Sequence, residues 1–207
     1  MEDQQKAWNN IAKEWYEFKD KHKKIDNLQH DVHDFVKKCK GNVIDLGSGT
    51  GRFLHKIPKG KMWLVDFSEQ MLKLAQKKAK SKKIPTEIIL AQAYKLPFKN
   101  NFFDSGIAIF SIHCIEKKQN RNKAIKELYR VLKPGAKAKI SVWNKDTKRF
   151  KNSPKERIVR WRNIAKRYYY LYEPEEIYTD FKKVGFNIFQ KDYPGKSITF
   201  IVKKPKS

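Results

Sequence analysis

Acidic residues are scarce in this chain: 22 Asp and Glu face 47 Lys and Arg in 207 residues, a formal net charge of +25. So few acids leave a strongly positive surface, which fits either a lysine-rich proteome or a polyanionic partner. Cysteine is scarcer still. Cys39 and Cys114 lie far apart and match neither a disulfide framework nor a C-x-x-C metal pattern, so reduced, partly buried thiols are expected, Cys39 at a helix end and Cys114 at a strand end. No apolar run approaches the roughly 18 residues of a membrane-spanning helix. The opening Met1-Glu2-Asp3-Gln4-Gln5 lacks the apolar core of a signal peptide. A cytoplasmic protein with no membrane partner is therefore expected. The length suits one well-buried α/β domain and leaves no room for two.

Glycine is also sparse, nine in all, yet three fall in one short stretch, Val43-Ile44-Asp45-Leu46-Gly47-Ser48-Gly49-Thr50-Gly51. An apolar run delivers a carboxylate and then glycines spaced two apart. Such a turn at the end of a buried strand lets backbone approach a ligand where a Cβ would collide. A second apolar run, Met62-Trp63-Leu64-Val65, ends in Asp66. The spacing from Asp45 suits one strand-helix-strand step, with Asp66 offered to a ribose diol. The pattern is G-x-G-x-G and not the dinucleotide G-x-G-x-x-G, which argues against NAD.

Periodicity gives the organisation. Trp8, Ile11, Ala12, Trp15 and Tyr16 mark one helical face, and Leu28, Val32, Phe35 and Val36 a second, stopped near Gly41. Strands are predicted at 42–46, 61–65, 86–91, 103–110 and 137–143. Helices are predicted at 69–80, with Ser68 as N-cap, and at 121–132, ended by Lys133-Pro134-Gly135. Beyond Trp143, Asn144–Arg167 holds ten Lys and Arg against two acids. A helix from Pro174 to Val184 and two strands, 186–191 and 198–202, close the chain. The expected fold is α/β: a doubly wound, mostly parallel seven-stranded sheet with a C-terminal antiparallel hairpin. Within one domain, 1–40 forms an N-terminal helical cap, 41–143 the core, 144–172 a basic and aromatic insertion, and 173–207 the last helix and hairpin.

The glycine loop resembles the S-adenosyl-L-methionine loop of class I methyltransferases. So do Ala91-Gln92-Ala93-Tyr94-Lys95-Leu96-Pro97-Phe98, Phe102-Phe103-Asp104 and Leu128-Tyr129-Arg130-Val131-Leu132-Lys133-Pro134-Gly135. Together they cover most of residues 40–143. The resemblance implies that Asp45, Gly47, Ser48, Gly49 and Gly51 meet the methionine part of the cofactor or orient the loop. It implies that Asp66 binds the ribose, and that Phe67, Gln92 and Ala93 lie at the adenine. Gln92 stands where that family usually has Asp.

Three further stretches resemble the wobble-uridine tRNA methyltransferases, which esterify 5-carboxymethyluridine: Trp8-Asn9-Asn10-Ile11-Ala12 with Trp15-Tyr16, Ile109-Phe110-Ser111-Ile112-His113, and Arg167-Tyr168-Tyr169-Tyr170-Leu171-Tyr172. Cys114 replaces a second His, Lys19 stands near an expected Arg, and a Pro-Trp-Pro stretch is missing. The implied acceptor is a carboxylate, already nucleophilic at neutral pH. His113, Arg167 and Trp143 are the candidates to grip it, with Tyr168 as a ring or hydroxyl contact. The implied partners are tRNA and a small zinc-binding activator, which in relatives covers an apolar sheet edge.

Two basic tracts suit RNA: Lys19, Lys23 and Lys24, and Arg149, Lys151, Arg157, Arg160 and Arg162. Arg157, Arg160 and Trp161 are expected on one helical face, joining phosphate contacts to a stacking ring. Lys73, Lys77 and Lys80 read as an ordinary solvated helix face. Two rivals stand beside this reading: a quinone-type small-molecule methyltransferase, sharing residues 40–143, and a noncatalytic RNA-binding protein on the same fold.

Overall fold

The computed structural model describes residues 3–21, 27–192 and 195–206. Its helices are α1 (Gln4–Trp15), α2 (Asn27–Lys37), α3 (Glu69–Ser81), α4 (Lys118–Val131) and α5 (Pro174–Val184). Its strands are β1 (Asn42–Leu46), β2 (Lys61–Asp66), β3 (Thr86–Leu90), β4 (Phe103–Ile109), β5 (Leu132–Trp143), β6 (Glu156–Trp161), β7 (Ala165–Tyr170), β8 (Asn187–Lys191) and β9 (Ser197–Lys203). Seven strands form one sheet in the order β3-β2-β1-β4-β5-β9-β8, and β6 and β7 pair separately. The first five run parallel, while β9 lies antiparallel between β5 and β8.

Successive side chains of a strand point to opposite faces, and both faces here are covered. Val43, Met62 and Leu64 pack with Val32, Val36, Leu72 and Ala75 of α2 and α3. Ile44, Leu46, Val65 and Ala108 pack with Ile125 and Leu128 of α4 and with Ile177 and Phe181 of α5. Strand order reverses between β1 and β4, so the carboxyl ends of β1, β2 and β4 open one crevice, the expected ligand position in such a sheet. Ser68 caps α3, its hydroxyl accepting from the Met71 N–H at 3.2 Å. Among the described residues, no helix is long and apolar enough to cross a membrane.

Three local expectations are corrected. Residues 156–161 are a strand, not a helix. Ile158 and Val159 favour extended backbone, and Arg162, at φ 49°, turns the chain into β7. The Lys133-Pro134-Gly135 stretch does not separate α4 from the next strand but lies inside β5, because Leu132 already pairs with Phe103. Cys114 closes a short 3-10 turn, Ile112–Cys114, rather than a strand. Lys23 and Lys24 lie outside the described residues, as do Tyr193 and Pro194.

Candidate active site

The crevice is a cavity of about 390 Å³, within the range of small-molecule sites. Asp45, Gly47, Ser48, Gly49, Asp66, Phe67, Gln92 and Ala93 all line it. Gly51 does not. Its missing Cβ leaves room for Leu54 and Ala75, so it seats the loop against α3. Gly47 sits at φ +74°, and a Cβ there would overlap the Ser111 side chain. At Gly49, φ +53°, the corresponding space is open, so a ligand can come close to the backbone.

Two carboxylates divide the labour at the strand ends. Asp66 accepts from the Gly49 N–H at 2.8 Å and the Ser68 N–H at 2.9 Å, which fixes the loop to the start of α3. Burial pushes its carboxyl up to about 6, against the pull of those backbone donors. Asp45 is buried with Oδ2 unpartnered. Burial, and then the charge of Asp66, pushes its carboxyl up to about 8. The Ser48 and Ser111 hydroxyls are buried without partners as well. An α-amino acid group brings an ammonium for Asp45 and hydrogen-bonding capacity for these hydroxyls, and Asp66 keeps lone pairs for a ribose diol. The residues present therefore fit S-adenosylmethionine.

Helix α1 forms the opposite wall. Asp3, Gln4, Gln5, Trp8 and Trp15 all line the cavity. Gln5 Nε2 donates to the Phe67 carbonyl at 2.6 Å, and Asn9 Oδ1 accepts from the Ser68 hydroxyl at 2.7 Å. Gln4 also reaches β7, its Oε1 accepting from the Tyr168 N–H at 2.8 Å and its Nε2 donating to the Lys166 carbonyl at 3.4 Å. One helix thus ties the Asp66 segment to β7.

Arg167 on β7 is 3% exposed and stands behind the Trp8 and Trp15 wall rather than in the cavity lining itself. Its guanidinium carbon lies 5.0–5.1 Å from the ring centroids of Trp8, Trp15, Trp161 and Tyr169. Nη1 donates to the Tyr169 hydroxyl, and Nε has no partner. No salt bridge to Arg167 occurs among the described residues. Cation–π contacts offset only part of the cost of burying such a charge.

The other acceptor-side candidates separate. His113 is fully buried, stacked on Trp143 (5.4 Å, 25°) and Tyr169 (5.5 Å, 28°), and does not line the cavity. Burial pushes its imidazole down to about 3, so it is neutral and is no cationic grip. Trp143 is half-buried and stacked at 4.3 Å on Tyr169. Tyr168 occupies the opposite face of β7 from Arg167, its hydroxyl accepting from Arg121 Nη1 at 3.0 Å. The ring beside Arg167 is Tyr169, a residue that strand alternation in 165–170 would have singled out. Trp8, Ser111 and Glu116 also reach the cavity without having been nominated.

The basic segment is sorted by the same alternation. Arg157 and Trp161 share the inner face of β6, and Arg160 lies on the outer one. Trp161 packs at 5.2 Å on Trp15, inside the cage, and offers no outward stacking ring. Arg162 pairs with Glu14 at 3.3 Å. Arg157 donates to the Ser153 hydroxyl. Arg149, Lys151 and Arg160 remain exposed, with Arg149 over the Phe150 ring at 5.0 Å. Lys19 falls in a π-helical turn, Tyr16–Lys21, that continues α1.

Comparison with known proteins agrees with this geometry. A family model described as a methyltransferase domain matches residues 44–140. A tRNA (carboxymethyluridine(34)-5-O)-methyltransferase of Arabidopsis thaliana is 34% identical over 101 residues, 49% of this chain and 24% of the relative. A ubiquinone/menaquinone biosynthesis C-methyltransferase of Cupriavidus taiwanensis is 32% identical over 108 residues, 50% of this chain and 43% of the relative. The match thus spans less than half of either relative's length. A solved S-adenosylmethionine-dependent methyltransferase from Clostridium acetobutylicum superposes with a TM-score of 0.72 at 18% identity, covering 96% of this chain and 99% of that one. With its glycine loop, paired strand-end carboxylates and sheet order, the chain has the class I S-adenosylmethionine-dependent methyltransferase fold, and its residues 44–140 match a methyltransferase domain.

Proposed function

We propose that this protein methyl-esterifies 5-carboxymethyluridine at the wobble position of tRNA. The observation that carries the reading is Arg167, a buried guanidinium behind the wall of the cofactor cavity, with no carboxylate partner among the described residues. A substrate acid supplies the missing countercharge. The exposed Arg149, Lys151 and Arg160 give the hairpin a rim for phosphates.

When bound, S-adenosylmethionine supplies an electrophilic methyl group on a sulfonium sulfur. A carboxylate oxygen needs no base to attack it, which suits a site where His113 is buried and neutral. The chain's own part is positional. Asp45 would hold the ammonium and Asp66 the ribose, and Phe67 and Gln92 would flank the base. The wall formed by Trp8 and Trp15 keeps water from the reacting atoms. An activator protein would find an edge at β3, where Leu90 is 55% exposed.

Incubation with methyl-labelled cofactor and tRNA bearing carboxymethyluridine tests the reading. Label on the RNA that mild alkali releases is expected of an ester. Label that resists alkali, or transfer to quinone precursors with none to tRNA, rejects it.

A further inference from the structure

Among the polar groups left unpartnered in the interior, which include Ser105, His113 and Tyr172 away from the cavity and Glu116 Oε1 on its wall, two sets bear on the ligands. Asp45 Oδ2, Ser48 Oγ and Ser111 Oγ surround the glycine loop, where the cofactor accounts for them. On the α1 side, two N–H donors on neighbouring residues lack an acceptor: Trp8 Nε1, on the cavity wall, and Arg167 Nε, behind that wall. They come from different elements, α1 and β7, and the Trp8 ring centroid is 5.1 Å from the Arg167 guanidinium carbon. Folding alone gives neither an acceptor. Trp8 belongs both to the cavity wall and to the aromatic cage, so a ligand in the cavity meets it directly.

We propose that the indole N–H of Trp8 and the Nε–H of Arg167 form a two-donor seat for the acceptor's carboxylate. The inference deepens the proposed esterification and rests on it for the identity of the acid. A planar carboxylate has two oxygens, one for each N–H, and a single charge to match one guanidinium. The enclosing rings of Trp15, Trp161 and Tyr169 shed water, which strengthens both bonds. An N–H pointed at an aromatic face is a weaker substitute and leaves the charge uncompensated. Phosphates belong on the solvated rim of the hairpin, where Arg149 and Arg160 are exposed. Gln4 supports the seat, because its amide grips the backbone on both sides of Arg167, at Lys166 and Tyr168.

The test uses the full chain, with ¹⁵N-labelled tryptophan, saturated with S-adenosylhomocysteine. The Trp8 indole resonance, assigned by its loss in Trp8→Phe, is followed as 5-carboxymethyluridine nucleoside, its methyl ester or uridine is added. A downfield shift with the acid alone is expected. No shift, or an equal shift with the ester, overturns the seat. In turnover, Trp8→Phe keeps a ring and loses the N–H. It should raise KM for the modified tRNA about 10- to 100-fold, a larger factor than any loss of S-adenosylhomocysteine affinity. Wild-type turnover by Trp8→Phe would sink the seat and leave the esterification standing. A shift with the acid in a protein that makes no ester would keep the seat and sink the esterification.

Discussion

Cofactor binding should release a proton, and Asp45 makes the effect large enough to measure. In the free protein its carboxyl is held up at about 8 by burial and by Asp66 beside it. A cationic ammonium on Oδ2 favours the ionised form, so the complex has a carboxyl well below its free value. If it falls below about 6, the binding-competent fraction of the free protein rises from roughly 1% at pH 6 to roughly 25% at pH 7.5, so affinity should climb about 25-fold over that interval. Calorimetry with S-adenosylhomocysteine, in buffers of differing ionisation heat, should count about one proton released per ligand near pH 6. Asp45→Asn should bind more weakly and lose the pH dependence. The same carboxyl acts on stability. Its folded value lies above the unfolded one, so its neutral form favours the fold, and its contribution is lost as pH rises from about 4 to about 8. Melting of the free protein should be less sensitive to pH across that window in Asp45→Asn. Affinity that is flat from pH 6 to 7.5, with no buffer-dependent heat, would refute the placement of the ammonium at Asp45.

Other variants probe the remaining parts. Gly47→Ala forces a Cβ into the Ser111 side chain at φ +74° and should cost about 1–3 kcal/mol in the loop, seen as a lower melting temperature and at least tenfold weaker cofactor binding; unchanged binding would remove the loop from the site. Gln4→Ala loses the acceptor for the Tyr168 N–H and should raise acceptor KM roughly fivefold at unchanged S-adenosylhomocysteine affinity. Gln5→Ala, which frees the Phe67 carbonyl, should do the reverse, and a shared phenotype would contradict the division along α1. Replacing Arg149, Lys151 and Arg160 together with Ala should reduce the slope of log K for tRNA against log salt by about 2 to 3. An unaltered slope would place the RNA elsewhere.

The donor half of the site was legible in the residues because its chemistry constrains the backbone. Asp45 and Asp66 end apolar runs, and Gly47 and Gly49 sit where only a residue without a side chain is comfortable. Parallel strands buried on both faces also announce themselves as continuous apolar runs. The acceptor half was harder to read, since side-chain direction decides it. Lys and Arg crowd residues 144–167 so densely that the alternation of Arg157, Val159 and Trp161 against Ile158 and Arg160 is masked. A helical face was therefore expected where the hairpin runs. The same alternation separates Arg167 and Tyr169 from Tyr168, which turns toward Arg121. His113 has a site-like position in sequence, but its burial among Trp143, Tyr169 and Phe110 depends on elements far along the chain. Trp8 gave only a helical period, and its orphaned N–H emerges once α1 lies across β7.

A crystal structure of the protein with S-adenosylhomocysteine is the most direct check on the donor seat. The ligand's ammonium should lie within hydrogen-bond distance of Asp45 Oδ2, and its ribose hydroxyls on Asp66, beneath Trp8 and Trp15. A nucleoside bound elsewhere, or one whose ammonium lies away from Asp45 and whose ribose lies away from Asp66, would contradict it.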